Sequence, residues 1–192
     1  MNKGLLIIYS GPSAVGKDTV LNEILNDKDL NLALSVSMTT RKPRPGEKEG
    51  VEYFFVSEER FNSAIMNNEL LEYAEYVGNF YGTPLAYVEK NRNEGKNVVL
   101  VIEMEGRKKV LDKVKDNVIS ICIVPPNMKE LEKRMRLRKK DSEETIRKRL
   151  NKAKEELKHT SDYDYVVEND TIEQAAKDIK KIILDEINKR SK

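Results

Sequence analysis

Short apolar runs punctuate the chain. Leu5–Tyr9, Val98–Ile102, Val118–Val124 and Tyr165–Val167 are continuous and rich in β-branched residues. Such runs suit strands of a parallel sheet covered by helices on both faces. Ala33–Ser37 reads as a further strand. Helical spacing fills the intervals, most clearly at the end, where Ile172, Ala175, Ala176, Ile179, Ile182, Ile183 and Ile187 share one apolar face. Thr83-Pro84 predicts a helix N-cap followed by proline at the first helical position, with Gly95 as the stop. Asn127 with Glu130, and Thr171 with Gln174, have capping-box spacing. Strand–helix alternation of this kind predicts an α/β sandwich.

Two stretches interrupt the alternation. Residues 35–87 hold a loop rich in Pro, Gly and Arg, then short aromatic strands around Tyr53-Phe54-Phe55 and Tyr73–Tyr76. Residues 127–154 are basic and helical. The expected organisation is one domain, 1–192, with a core of 1–34, 88–126 and 155–192 and insertions at 35–87 and 127–154.

The length of 192 residues suits a single domain with a real core. Net charge is only +2, which argues against a dedicated nucleic-acid binder. Charge is unevenly placed, however: Lys129–Lys154 holds twelve Lys or Arg against five Asp or Glu. No aromatics interleave there, so Lys129, Lys133, Lys140, Lys148, Lys152 and Lys154 read as a solvated basic face. Cys122 is the only cysteine, which excludes an intrachain disulfide, and its apolar surroundings predict a buried thiol. The opening apolar run is too short for a signal peptide or membrane span. The expectation is a cytoplasmic protein with no membrane partner, either a monomer or a small homo-oligomer.

After the first apolar run comes Gly11-Pro12-Ser13-Ala14-Val15-Gly16-Lys17-Asp18-Thr19 and then a helical pattern. This is G-x-x-x-x-G-K, the P-loop pattern. Glycines let successive backbone N–H groups converge on a phosphate, and the following helix adds its dipole. Lys17 places a point charge on the β- and γ-phosphates of a bound ATP. Asp18 stands where Ser or Thr usually meets magnesium, so Thr19 is the candidate hydroxyl, with Asp18 bonding local groups or a water on the metal.

The segment Ser35–Glu47, with Gly50–Val56 and Gly78–Thr83, closely resembles guanylate kinase, and the resemblance runs through nearly the whole chain. It implies a P-loop NTPase three-layer sandwich, with a GMP-binding subdomain at 35–87 and a lid at 127–154. It also implies GMP and ATP as substrates, with Mg2+ as cofactor. The resemblance assigns Arg41, Arg44, Tyr53 and Tyr81 to the GMP phosphate. The residue types agree: forked guanidinium groups and phenolic O–H groups suit a dianionic monoester. It places Ser37, Glu72 and Thr83 around guanine, whose N1–H and 2-amino group form a donor pair that one carboxylate can accept. Adenine lacks that pair.

Further roles also follow from the resemblance. Glu103 keeps a carboxylate in a strand where the family has aspartates, whereas Val101 cannot serve there. Arg134, Arg138 and Arg149 match lid arginines, and Arg138 and Arg149 are implied to swing onto the transferring phosphoryl group together with Lys17 and Arg41. Leu137 and Lys139 replace the glycines that usually flank Arg138. Asn169 is implied to contact the adenine of ATP. His159 gets no role. Two rival readings are a related kinase acting on ribose 1,5-bisphosphate, which can carry Asp after the P-loop lysine, and a guanylate-kinase-like binding module without catalysis. The acceptor segment disfavours the first, and Lys17, Arg138 and Arg149 disfavour the second.

Overall fold

The computed structural model describes residues 3–137 and 141–190. Five apolar runs form one parallel sheet: β1 (Leu6–Ser10), β2 (Leu32–Leu34), β7 (Asn97–Val101), β8 (Val118–Val124) and β9 (Tyr165–Glu168), in the order β2-β7-β1-β8-β9. β1 lies at the centre and is buried along its whole length because both of its faces are covered. Leu5, Ile7 and Tyr9 point to one layer, against α1 (Lys17–Ile24), α5 (Met128–Leu137) and α7 (Ile172–Arg190). Leu6 and Ile8 point to the other, against α3 (Leu85–Asn93) and α4 (Met104–Lys113). Alternate side chains thus feed two cores, which makes the three layers.

A second, four-stranded sheet stands beside the first, in the order β4 (Tyr53–Phe55), β3 (Ser37–Thr39), β6 (Asn79–Pro84), β5 (Leu70–Tyr76). Helix α2 (Glu58–Met66) packs on it around Phe61, Ala64, Met38 and Leu70. Ser57 caps α2 by accepting from Arg60 N. Helix α6 (Glu143–Leu157) follows α5 and is capped by Ser142.

Two expectations change. Ala33–Ser37 is not one strand: β2 belongs to the parallel sheet, and the chain leaves it at Ser35–Val36 to start β3 in the small sheet. An apolar run carries no mark of which sheet it joins. Nor does Thr83 cap α3. It lies buried in β6, its hydroxyl donates to Glu72, and Pro84 takes the cap position without a side-chain bond. The other two caps form: Asn127 Oδ1 accepts from Glu130 N, and Thr171 Oγ1 from Gln174 N. Cys122 is fully buried, and burial pushes its thiol up to about 11. Among the described residues no helix is long and apolar enough to cross a membrane.

Candidate active site

The loop from Gly11 to Gly16 leaves the C-terminal end of β1 and enters α1. That is where an open α/β sheet binds its ligands. Gly16 caps the helix with φ of 98°, and a Cβ there would lie 2.7 Å from Asn169 Nδ2. A Cβ on Gly11 would lie 2.3 Å from Ile123 O at the end of β8. Both positions therefore exclude a side chain sterically. Ala14 also has positive φ, 65°, without glycine's freedom. Asn169 is buried. Its amide Nδ2 donates to Val15 O at 2.7 Å and ties the loop to the end of β9, while its Oδ1 has no partner among the described residues.

Lys17 turns back over the loop, and its Nζ donates to Gly11 O at 2.6 Å and Pro12 O at 3.1 Å. Burial lowers its pKa, while Asp18, Glu156 and Glu103 act in the opposite sense. A cradle of about 160 Å³ runs over Ser13, Ala14 and Gly16 to Thr19. Beside it opens a cavity of about 450 Å³, walled by Val15, Arg134, Asn169 and Thr171. Arg134 is fixed there: Nη1 donates to Asn169 O at 3.0 Å and Nη2 to Asp170 O at 3.4 Å. Asp18 and Thr19 stand exposed in the first turn of α1.

The second half of the site is on the small sheet. Arg41 follows β3 and lies 5.3 Å over the Tyr53 ring and 5.8 Å from that of Phe55. The Tyr53 and Tyr81 rings meet edge to face at 5.8 Å. Glu47 takes both ends of the Arg41 fork, at 3.0 and 2.8 Å, and also accepts from Arg44 N at 2.7 Å. The Glu47 hydrogen bond raises the Arg41 pKa further, and the Arg41 hydrogen bond lowers that of Glu47. Glu47 thus braces the Arg41 fork and the Arg44 backbone in place beside the two rings. Sequence reasoning gave Glu47 no role. Its place three residues after Arg44, at the close of a turn, was the available signal.

Glu72 projects from β5, and Thr83 Oγ1 donates to its Oε1 at 2.6 Å. Burial pushes its carboxyl above the ordinary glutamate value, partly offset by the Thr83 bond and by Lys109. Ser37 is half-buried at the start of β3, opposite Tyr53.

Between the two halves, Glu103 at the N-cap of α4 pairs with Lys152 of α6 at 2.8 Å, and Lys152 also lies 3.8 Å from Glu156. Lys152 is thus engaged at the cleft rather than merely solvated, as its place in a basic run suggested. Glu156 was missed altogether. It faces Lys152, Glu103 and Lys17, and burial raises its pKa. Arg149 of α6 is held by Asp141. Arg138 lies outside the described residues. Val101 is part-exposed at the end of β7 and joins neither half.

A phosphate-type loop heads a parallel sheet, with an arginine–tyrosine corner and a recessed carboxylate across the cleft. The class this defines is a P-loop kinase. The family model described as Guanylate kinase matches residues 3–186. A guanylate kinase of Mesoplasma florum is 55% identical over 185 residues, covering 96% of this chain and 62% of the relative. One of Malacoplasma penetrans is 47% identical over 186 residues, covering 96% and 95%. The crystal structure of guanylate kinase from Anaplasma phagocytophilum superposes with a TM-score of 0.72 at 38% identity, over 95% of this chain and 85% of that one. The chain belongs to the guanylate kinase family. It spans only 62% of the length of the Mesoplasma relative but nearly all of the Malacoplasma one.

Proposed function

We propose that the chain transfers the γ-phosphoryl group of ATP to GMP, giving ADP and GDP. One observation carries the choice of acceptor. A recessed carboxylate, Glu72, is fixed by Thr83 on the same small sheet that holds the Arg41–Tyr53–Tyr81 corner. A purine monophosphate with two adjacent N–H donors spans those two features.

ATP phosphates lie over the Gly11–Gly16 amides, with Lys17 released from its loop carbonyls onto the β- and γ-oxygens. The adenosine end takes the cavity bounded by Arg134 and Asn169. Arg41, Arg44, Tyr53 and Tyr81 hold the GMP phosphate, while Ser37, Glu72 and Thr83 read the base and Glu103 faces it. An oxygen of that phosphate attacks the γ-phosphorus in line, and the bond to the β–γ bridging oxygen breaks. Charge spreads over the equatorial oxygens, where Lys17, Arg41 and the lid arginines Arg138 and Arg149 stabilise it. Arg149 exchanges Asp141 for the phosphoryl group as the lid closes and excludes water.

Thr19 and Asp18 offer hard oxygen donors at the cradle and fit magnesium, which combines one or two protein oxygens with phosphate and water. When bound, magnesium neutralises charge on the β- and γ-phosphates.

A coupled assay for ADP release across GMP, AMP, CMP, UMP and ribose 1,5-bisphosphate tests the reading. Turnover confined to GMP and dGMP is expected. Turnover on the ribose phosphate alone would break the acceptor assignment and leave the loop assignment standing, and silence with every acceptor would point to a binding module.

A further inference from the structure

Glu72 sits where β5 departs from regular pairing. Leu70 pairs with Pro84 and Tyr73 with Gly82, so three steps along β5 face two along β6. The extra residue is a β-bulge at Leu71–Glu72, a device that re-aims a side chain. Leu70 and Leu71 are buried in different cores, as alternation along a strand requires, and past the extra residue Glu72 lies beside Thr83 and Gly106.

Helix α4 is fastened to the β5 backbone on both sides of this bulge. Lys113 Nζ donates to Leu70 O. Lys109 Nζ donates to Tyr73 O at 2.9 Å and lies 5.0 Å over the Tyr73 ring. One turn earlier, a Cβ on Gly106 would lie 3.3 Å from Glu72 Oε2 and 3.4 Å from its Cγ. That Cβ would also lie 3.2 Å from Ile102 Cδ1, so a side chain there would press on both neighbours and displace the carboxylate by a few tenths of an ångström, and the bare helix backbone serves as its wall. Gly106, Lys109 and Lys113 are spaced i, i+3, i+7 and share one helix face.

The geometry points to Gly106, Lys109 and Lys113 as positioning residues that aim Glu72 at a base presenting two adjacent N–H donors. This inference rests on the acceptor reading above. The charged and polar groups facing Glu72 are Thr83 on β6, Lys109 and Lys113 on α4, and Glu103 at the head of α4. Burial is the largest influence and favours the neutral acid, with Glu103 adding to it, while Thr83 and the two lysines oppose both. A neutral acid would turn an O–H donor toward the donor edge of guanine and lose an acceptor. The lysines thus fix where the carboxylate points and also oppose its protonation.

The test compares the full-length chain with a Lys109→Met/Lys113→Met variant, the matching double Arg variant, and Gly106→Ala. The readouts are kcat and KM for GMP, for IMP (which lacks the 2-amino group) and for ATP, the acid limb of kcat/KM for GMP, and the thermal midpoint. The Met variant is expected to raise KM for GMP about tenfold, the worth of one hydrogen bond to a charged group. It should also move the acid limb to higher pH and shrink the GMP-over-IMP preference, with KM for ATP unchanged. The Arg variant should restore all three, and Gly106→Ala should raise KM for GMP several-fold even though alanine favours the helix. Met variants that keep the GMP KM, acid limb and preference of an active wild type would overturn the inference, whether or not their midpoint falls. A wild type inactive on GMP would overturn the acceptor reading itself.

Discussion

The loop between β1 and α1 and the corner between β3 and β6 both offer donors that suit a phosphate, yet they are made of different material. The first is backbone: amides from Gly11 to Gly16, held by the sheet below and by Asn169 Nδ2 on Val15 O. The second is side chain: Arg41 over two aromatic rings, braced by Glu47. Backbone amides cannot be replaced by mutation, whereas the charge folded directly over them, Lys17, can be removed. Side-chain sites lose function one residue at a time, and their precision depends on neighbours that never touch the ligand.

The largest expected effect strikes the backbone half at its one exchangeable group. Lys17→Met should lower kcat by about 10³-fold, in the range for losing a preorganised charge donor, while circular dichroism shows an intact fold. A loss below tenfold would mean that the amides alone suffice, and would sharpen the contrast between the halves.

Glu72→Gln comes next. An amide offers one acceptor and one donor where the base needs two acceptors, so kcat/KM for GMP should fall by roughly 10²–10⁴-fold. Stability should move the other way. Because the folded protein raises the Glu72 pKa, it holds that proton more tightly than the unfolded chain does. Stability therefore falls as pH rises from the ordinary glutamate value through the raised one. The Gln variant should lack that fall and melt at a higher temperature at neutral pH. A difference in melting temperature between the Gln variant and the wild type that is the same at acid and neutral pH would contradict this.

Glu47→Gln tests the bracing idea. It keeps the shape but weakens the two-pronged hold on Arg41, and KM for GMP should rise about tenfold with a smaller change in kcat. A lower KM would instead make Glu47 a competitor of the substrate phosphate. The smallest effect belongs to Ala14→Gly. Relief of a left-handed alanine is worth about 1–2 kcal/mol, and the added freedom of the unfolded glycine takes back about 0.4–1 kcal/mol. Chemical denaturation should show a net gain between about zero and 1.6 kcal/mol.

The same contrast explains what the sequence made legible. The loop could be read at once because a backbone cradle demands fixed spacing along a contiguous stretch, from Gly11 to Lys17. The parallel strands could be read because burial on both faces leaves an unbroken apolar run. Arg41, Tyr53 and Tyr81 were legible only through resemblance, since nothing in an isolated Arg or Tyr says what it will face. Thr83 misled because Thr-Pro is a good helix start whether or not the hydroxyl is needed elsewhere, and here Glu72 takes it. Lys152, Lys109 and Lys113 were invisible for a related reason. Lysines on helices look solvated until the fold shows what lies opposite, such as Glu103 at 2.8 Å or the carbonyl of Tyr73. The bulge that turns Glu72 is a property of pairing between β5 and β6, and no single strand carries it.

The Lys17 ammonium, folded onto the oxygens of Gly11 and Pro12, has a consequence for the protein at rest. Its strongest hook is stowed, with the chain itself acting as understudy for the nucleotide. Arrival of ATP is then a change of cast rather than a capture, and the contacts made are offset by contacts given up. The heat released should be modest even where the affinity is high, and the loop should keep its shape through every turnover.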